Sequence, residues 1–181
     1  FADCTALTEI NYNATAANDL SSDSNVFYNA GQEGTGITVN IGANVTKLPN
    51  YLFCTDVNYE PKITIVNFAE GSVCESMGDS AFRGCGSLTS ITIPENIKSI
   101  GDSAFYNCAA LTEINYNAIN ANDLSEENYV FYNAGQNGEG ITVNIGVNAT
   151  RLPNYIFYYY NNSTNSPKIT TVNFAEGSVC E

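Results

Sequence analysis

A phenylalanine that recurs at nearly constant spacing is the feature that most constrains how this chain can fold. Successive copies are separated by 26, 26, 29, 23, 26 and 26 residues. Periods of this length are typical of solenoids, in which each unit buries its apolar side only by stacking on its neighbours. The chain is therefore predicted to form about seven stacked coils with one continuous core. The units start at Phe1, Phe27, Phe53, Phe82, Phe105, Phe131 and Phe157.

A longer duplication is superimposed on these units. The segment FADCTALTEINYNA at residues 1–14 returns as FYNCAALTEINYNA at residues 105–118, and PKITIVNFAEGSVCE at residues 61–75 returns as PKITTVNFAEGSVCE at residues 167–181. Since no linker or change of composition divides the chain, residues 1–181 are interpreted as a single domain. We expect this domain to be a fragment of a longer repeat array.

Each unit contains a short alternation of apolar and polar residues that predicts one β-strand. In the plainest unit, Ile91 and Ile93 flank Thr92 and should point inward, and Pro94 ends the strand because it lacks a donor N–H. Residues 101–105 are predicted to form a turn that opens a short helical segment. The predicted strands are residues 7–12, 37–41, 63–68, 88–93, 111–116, 141–145 and 169–174.

The same unit carries an ordered motif, Ile-Gly-Asp-Ser-Ala-Phe-x-x-Cys-x-x-Leu-Thr-x-Ile-x-Ile-Pro-x-x-Ile-x-x-Ile, which residues 77–116 match closely. This motif resembles the BspA-like leucine-rich repeats of bacterial surface proteins, and the other units match it more loosely. The resemblance implies an α/β fold, namely a right-handed solenoid or horseshoe. A parallel β-sheet would form one face of it, and short helices or turns would form the other.

The resemblance also carries expectations about function. Members of that family are secreted or attached to the cell surface and are linked with adhesion to host proteins and cells. It therefore implies an extracellular or cell-surface protein whose partner is a host or neighbouring-cell macromolecule, either a protein or a glycan. It transfers no catalytic residue to this chain, and it transfers no binding residue because the family's ligands vary.

A row of amide side chains is the first candidate binding site. The residue between the two inward positions of each predicted strand should stand on the exposed face of the sheet, and it is asparagine in six of the seven units. Asparagine is a poor strand former, so its repeated use needs a reason. Either the amides hydrogen-bond from strand to strand as a ladder, or they form a polar strip that binds a glycan or a peptide. The candidates are Asn11, Asn40, Asn67, Thr92, Asn115, Asn144 and Asn173, with Glu9 and Glu113 beside them.

An aromatic run after the last anchor is the second candidate. Phe157 itself should be buried, and it is followed by Tyr158, Tyr159 and Tyr160. These tyrosines either stack on a sugar or a protein partner, or pack against the neighbouring loop.

The cysteines have plainer explanations. Three of them follow an anchor phenylalanine by three residues and should pack as small apolar side chains; they are Cys4, Cys85 and Cys108. Cys54 and Cys74 can be drawn as a disulfide. The duplication argues against that bridge, because Cys74 returns as Cys180 whereas Cys54 returns as Tyr158.

Composition excludes several classes of function. The net charge is −13 with only six Lys and Arg residues, too few for nucleic-acid binding or for an anionic membrane surface. The chain has no histidine, so Ser-His-Asp and Cys-His catalytic arrangements are impossible. Acidic residues such as Asp19 and Asp123 lack the spacing of a calcium loop and should cap helix starts or face solvent. We therefore expect no enzyme activity, no metal site and no cofactor.

The sequence thus predicts a non-catalytic binding module that adheres to its partner through the exposed face of the sheet. One alternative is a structural spacer that projects another domain from the cell. Another is a carbohydrate-recognition module that uses Tyr158 to Tyr160. A binding strip should lose its partner when the amide row is changed, whereas in a spacer the same change should affect stability alone.

Overall fold

The structure, a computed structural model, describes residues 1–55, 59–159 and 165–180, and these contain ten short β-strands. In chain order they are β1 (Glu9–Tyr12), β2 (Ile37–Ile41), β3 (Lys47–Leu48), β4 (Ile63–Phe68), β5 (Ser76–Met77), β6 (Ser90–Ile93), β7 (Ser99–Ile100), β8 (Glu113–Tyr116), β9 (Ile141–Ile145) and β10 (Ile169–Phe174). One sheet has the order β1-β2-β4, a second has the order β6-β8-β9-β10, and a small third sheet has the order β3-β5-β7. All strand pairs are parallel.

The two longer sheets contain a strand at each of the seven predicted positions. Four strands have the predicted bounds, and β1, β6 and β8 each begin two residues later than predicted. The reason is a turn at the expected first residue. The N–H groups of Leu7, Leu88 and Leu111 donate to the carbonyl of the cysteine three residues earlier, at 3.0, 3.0 and 3.1 Å, instead of to a neighbouring strand.

The predicted short helices are absent from the described residues. Around Phe82, Ser80 and Gly84 have φ angles of 54° and 78°, which an α-helix does not allow. The N–H groups of Ser80, Phe82 and Gly84 donate to carbonyls of the next coil at 2.7, 2.9 and 2.9 Å. Because these donors bond between coils, no i to i−4 ladder forms.

The α/β description is therefore corrected. The fold is a parallel-strand β-solenoid of about five turns, in which stacked turns replace the expected helices. Seven complete coils are not confirmed. The return strand, seen as β3, β5 and β7, is present in only three of the described units, and the outer strands β1 and β10 pair on one side only.

The anchor phenylalanines form one continuous stack through the core. Successive ring centroids lie 5.0–5.3 Å apart. Phe53, Phe82 and Phe105 are fully buried, whereas Phe1 at one end of the stack is exposed. Ile91 and Ile93 point into this core, with exposed fractions of 1% and 0%, as predicted.

Two of the three repeat cysteines lie in the core. Cys85 and Cys108 are fully buried, and their thiols donate to the backbone carbonyls of Phe53 and Phe82, with S···O distances of 3.8 and 3.4 Å. Burial raises the pKa of both thiols. Cys4 is exposed, so the prediction of core packing is wrong there, because the first coil is covered on only one side in the described structure.

Candidate functional site

The predicted amide row is in register across both longer sheets. In the first sheet, Asn11, Asn40 and Asn67 lie directly opposite one another. In the second sheet, the aligned residues are Thr92, Asn115, Asn144 and Asn173. Each of these side chains is exposed or partly buried, while the residues on either side of it along most strands point into the core. The row is therefore part of the solvent-facing side of the sheet.

The amides of the first sheet bond to one another along the stack. Nδ2 of Asn40 donates to Oδ1 of Asn11 at 3.0 Å, and Nδ2 of Asn67 donates to Oδ1 of Asn40 at 3.1 Å. The second proton of the Asn40 amide is donated to Oε1 of Glu9 at 2.9 Å. Both N–H donors of Asn40 are thus used, and Glu9 fixes the orientation of the amide.

The duplicated block repeats this arrangement in the second sheet. Nδ2 of Asn144 donates to Oδ1 of Asn115 and to Oε1 of Glu113, both at 2.9 Å. Nδ2 of Asn173 then donates to Oδ1 of Asn144 at 2.9 Å. The sequence placed Glu113 beside the row only as a neighbour, whereas the structure shows it holding the central amide. The amide-ladder alternative is therefore present in both sheets.

The two ladders are separate. β4 and β6 lie side by side, but they belong to different sheets. The backbone N–H of Thr89 reaches the carbonyl of Thr64 at a long 3.4 Å. Ile65 is 45% exposed beside the end of the first ladder, and Thr92, with no amide, begins the row in the second sheet. The face therefore consists of two similar polar strips.

Some hydrogen-bonding capacity remains on each strip. Among the described residues, the amide oxygens of Asn67 and Asn173 accept no protein hydrogen bond, and the amide nitrogens of Asn11 and Asn115 donate none. Each strip also has one carboxylate, from Glu9 or Glu113. The groups left for a partner are therefore richer in acceptors than in donors, and they carry negative charge.

The aromatic run packs mainly against its own neighbourhood. The ring of Tyr159 lies 4.8 Å from that of Tyr132 and 5.8 Å from that of Tyr129, between centroids. Tyr158 packs edge-on against Tyr155 at 5.1 Å. These contacts correspond to the loop-packing alternative, while Tyr160 lies outside the described residues.

Phe157 is only partly buried, although the sequence predicted burial. It stacks on Phe131 at 5.3 Å between ring centroids, and it is the last ring of the stack. Its outer face therefore lacks the phenylalanine neighbour that covers the interior rings.

The Cys54–Cys74 disulfide is not formed. Cys74 is a buried free thiol that donates to the carbonyl of Ser76, with an S···O distance of 3.5 Å. Burial raises the pKa of Cys74 to about 11, so the thiol stays protonated at neutral pH. The side chain acts as part of the core.

The acidic residues hold turns of the next coil and do not cap helices. Asp19 forms an ion pair with Lys47 at 2.8 Å and accepts the backbone N–H of Asn50 at 3.0 Å. The hydrogen bond from Lys47 is the main cause of the lowered pKa of Asp19. Its duplicate, Asp123, pairs with Arg151 in the same way. In the part of the chain that the structure describes, no three His, Cys, Asp or Glu side chains are grouped to hold a metal ion.

Sequence reasoning missed a second polar row, two residues after the anchor phenylalanine. Asn29 Nδ2 donates to Asp3 Oδ1 at 2.9 Å, and Asn133 Nδ2 donates to Asn107 Oδ1 at 2.6 Å. The signal was available in the sequence, because asparagine or aspartate occupies this position in four units. In the units of Phe53 and Phe82 the residues are Thr55 and Gly84, and the row is interrupted across these two units.

Comparison with known proteins identifies the repeat. A family model described as BspA type leucine-rich repeat region matches residues 75–177 in six copies. No curated protein and no solved structure matches the chain. Within the described residues, no helix has the length and apolar character needed to cross a membrane.

Proposed function

Because this chain belongs to the BspA type leucine-rich repeat family, we propose that residues 1–181 are a single non-catalytic binding domain of a secreted or cell-surface bacterial protein. Repeat domains of this family are in general interaction or structural modules. The proposed role is adhesion to a host or neighbouring-cell macromolecule through the exposed face of the parallel sheet. The binding residues would be the two amide strips with Glu9 and Glu113.

The observation that carries this proposal is that the strips are ordered without a partner. Asn40 and Asn144 each make three side-chain hydrogen bonds within their strip. Ordering a polar side chain at an interface costs about 0.5–1.5 kcal/mol. A strip that is already ordered avoids most of that cost, so many shallow polar contacts can add up to useful affinity.

The charge of the face supports a partner rich in N–H donors. Besides one unused amide oxygen and one unused amide nitrogen, each strip offers a carboxylate, and the whole chain carries a net charge of −13. Complementary charge mainly speeds association and selects partners, and its effect weakens as salt screens it. A basic patch on a protein suits this surface better than an acidic polysaccharide does.

Binding to a panel of immobilised host matrix proteins and mucins tests the proposal. The wild-type chain is compared with a strip variant that carries Asn40→Ala, Asn67→Ala, Asn115→Ala and Asn144→Ala. A matched control carries Asn120→Ala and Asn137→Ala, two exposed loop amides. Circular dichroism checks that all three proteins are folded.

The proposal predicts that the strip variant loses at least about tenfold in affinity while the loop control binds as the wild type does. A second variant, with Glu9→Gln and Glu113→Gln, keeps an acceptor for the ladder and should weaken binding mainly at low salt. Equal binding by the strip variant and the wild type would move the partner's site off the sheet face. No binding across the panel would favour a spacer that projects another domain.

A further inference from the structure

A cleft of about 480 Å³ opens beside Glu60, next to the interruption of the second polar row. Coils from the first block and from the middle of the chain both contribute to it, and it involves none of the amide strips. The residues that matter for its chemistry are Asn29, Tyr59, Glu60, Lys62, Ser87 and Asn107.

The absence of a side chain at Gly86 makes room for the Glu60 carboxylate that lines this cleft. Where four other units have asparagine or aspartate two residues after the anchor, this coil has Gly84. A β-carbon at Gly84 would lie 3.7 Å from Cγ of Glu60, which is an ordinary contact distance. A β-carbon on Gly86 would lie 2.5 Å from Oε2 of Glu60. A side chain at Gly86 would therefore displace the Glu60 carboxylate, which lies over the bare backbone of the next coil.

The polar groups around Glu60 are only partly satisfied. Oε1 of Glu60 accepts one long bond from Nδ2 of Asn107 at 3.4 Å. Below Gly84, the hydroxyl of Thr55 is buried without a hydrogen-bond partner, and the residue is only 4% exposed. Its Oγ1 lies 3.9 Å from the β-carbon position at Gly84. A buried hydroxyl without a partner is costly, but Thr55 does not line the cleft. The capacity for a hydroxyl-bearing ligand therefore lies with the Glu60 carboxylate.

An aromatic ring forms one wall. Tyr59 stacks on Tyr28 with 4.6 Å between ring centroids, and it is 49% exposed. On the same rim, Lys62 donates one proton to the carbonyl of Gly34 at 2.7 Å and retains two donors. Burial raises the pKa of the Glu60 carboxyl, which is consistent with its position inside the cleft.

We propose that this cleft binds a neutral saccharide. A sugar ring combines vicinal hydroxyl groups, which pair with a carboxylate, amides and an ammonium, with an apolar face that stacks on an aromatic ring. An anionic ligand is disfavoured by Glu60, and a fully apolar ligand would leave the lining polar groups unpaired. This site is independent of the sheet-face binding proposed above.

The duplicated block supplies a natural comparison for the cleft. Asn165 and Ser166 stand where the first block has Tyr59 and Glu60, on a closely similar backbone. Gln32 donates to the carbonyl of Glu60 at 2.8 Å, and Gln136 donates to that of Ser166 at 2.6 Å. The fold thus accepts either pair of side chains, while only the first pair provides a ring and a carboxylate.

The experiment uses the whole chain, ¹⁵N-labelled, and follows amide shifts as N-acetylglucosamine, galactose, mannose and lactose are added separately. The test variant carries Tyr59→Asn and Glu60→Ser, which copies the second block. A control variant carries Glu139→Ser, an exposed acid in a loop. Saturation-transfer difference spectra measure binding independently of the assignments.

At least one of these sugars should shift the amides of Gly84, Gly86 and Asn107. The affinity should fall at least about tenfold in the Tyr59→Asn, Glu60→Ser variant, because hydrogen bonds to a charged group are lost, and it should be unchanged in the Glu139→Ser control. Sugars that bind the test variant and the wild type equally, or that shift only other amides, would overturn the proposal. So would the absence of binding by all four sugars.

Discussion

Two segments with the same sequence, EINY, differ in burial. In β8, Ile114 and Tyr116 are fully buried, with exposed fractions of 0%, whereas in β1 the same side chains, Ile10 and Tyr12, are only partly buried. β8 lies between β6 and β9, while β1 pairs with β2 alone. Burial in this fold is therefore set by the neighbouring coils and not by the local sequence.

The opposite end of the stack gives the same result. The copies ITIVNF in β4 and ITTVNF in β10 place Val66 at 6% exposure and Val172 at 49%. Stability in such arrays is approximately a sum of terms from each unit and from each interface between neighbours. An interior coil has two interfaces and an outer coil has one, so the same substitution should have different consequences in the two copies.

The largest difference is expected for a charge placed in the core. Ile114→Asp should lower the free energy of unfolding by about 3–5 kcal/mol, because an unpaired carboxylate is buried there. The same change at Ile10 should lower it by about 1–2 kcal/mol, because water reaches that site. Urea denaturation of the two variants measures both values. Equal losses would mean that β1 is covered as fully as β8.

The stability contributed by Tyr12 and by Tyr116 should respond differently to alkaline pH. The hydroxyls of Tyr12 and Tyr116 are both buried without a hydrogen-bond partner, and burial raises the pKa of Tyr116 to about 12, with a smaller upward shift for Tyr12. Since the pKa of an unfolded tyrosine is about 10, the folded state holds its proton longer. For Tyr116, the contribution of the raised pKa to the free energy of unfolding is complete below about pH 10 and is lost as the pH rises from about 10 to about 12.

Tyr116→Phe should therefore reduce the loss of stability between about pH 10 and pH 12, and Tyr12→Phe should reduce it less. Thermal unfolding across that range, for the wild type and both variants, measures the effect. The fall of the melting temperature with rising pH should become shallower in the order wild type, Tyr12→Phe, Tyr116→Phe. A Tyr116→Phe slope as steep as that of the wild type would show that Tyr116 ionises as easily in the folded state as in the unfolded one.

The amide ladders should behave alike in the two copies, in contrast to the core. Asn40→Ala and Asn144→Ala each remove the same three side-chain hydrogen bonds. Each substitution should lower the free energy of unfolding, measured by urea denaturation, by about 1–2 kcal/mol. The loss is modest because these bonds are partly solvated. A cost near zero for either variant would mean that its ladder is not formed in solution.

The smallest effect is expected at the start of the second ladder. Thr92 lies opposite Asn115, whose amide nitrogen donates to no described protein group. Thr92→Asn would place an acceptor there and extend the ladder by one bond. We expect the free energy of unfolding to rise by about 0.5 kcal/mol, after the lower strand preference of asparagine is subtracted. A loss of stability in the same denaturation assay would contradict this reading of the row.

Much of the architecture could be predicted from the sequence, because the repeat fixes which residues meet in neighbouring coils. The strand positions, the inward direction of Ile91 and Ile93, and the alignment of the amide row all follow from that periodicity. The helices were predicted wrongly, because the left-handed backbone at Ser80 and Ser103 is not encoded by glycine there and cannot be read from the residue type.

The candidate sites were less predictable, since their contacts join residues of different coils. Glu60 and Asn107 are 47 residues apart and occupy different positions in their units, so no repeat pattern pairs them. The useful signal was a departure from the repeat, namely Gly84 in the asparagine position and the change from Tyr59-Glu60 to Asn165-Ser166 between the blocks. In a repeat protein, the sites specific to one coil are found where the copies differ.

Amide hydrogen exchange tests the central claim that stacking, and not local sequence, orders the sheet. The stretch TEINYNA occurs at residues 8–14 and again at residues 112–118, so the intrinsic exchange chemistry is the same in both. The N–H groups of Glu113 and Asn117 donate to Thr89 and Ile93 at 3.3 and 3.0 Å, whereas β1 has no strand on that side in the described structure. Exchange should therefore be at least about a hundredfold slower at Glu113 and Asn117 than at Glu9 and Asn13. Equal protection of the two copies would contradict the claim that stacking orders the sheet.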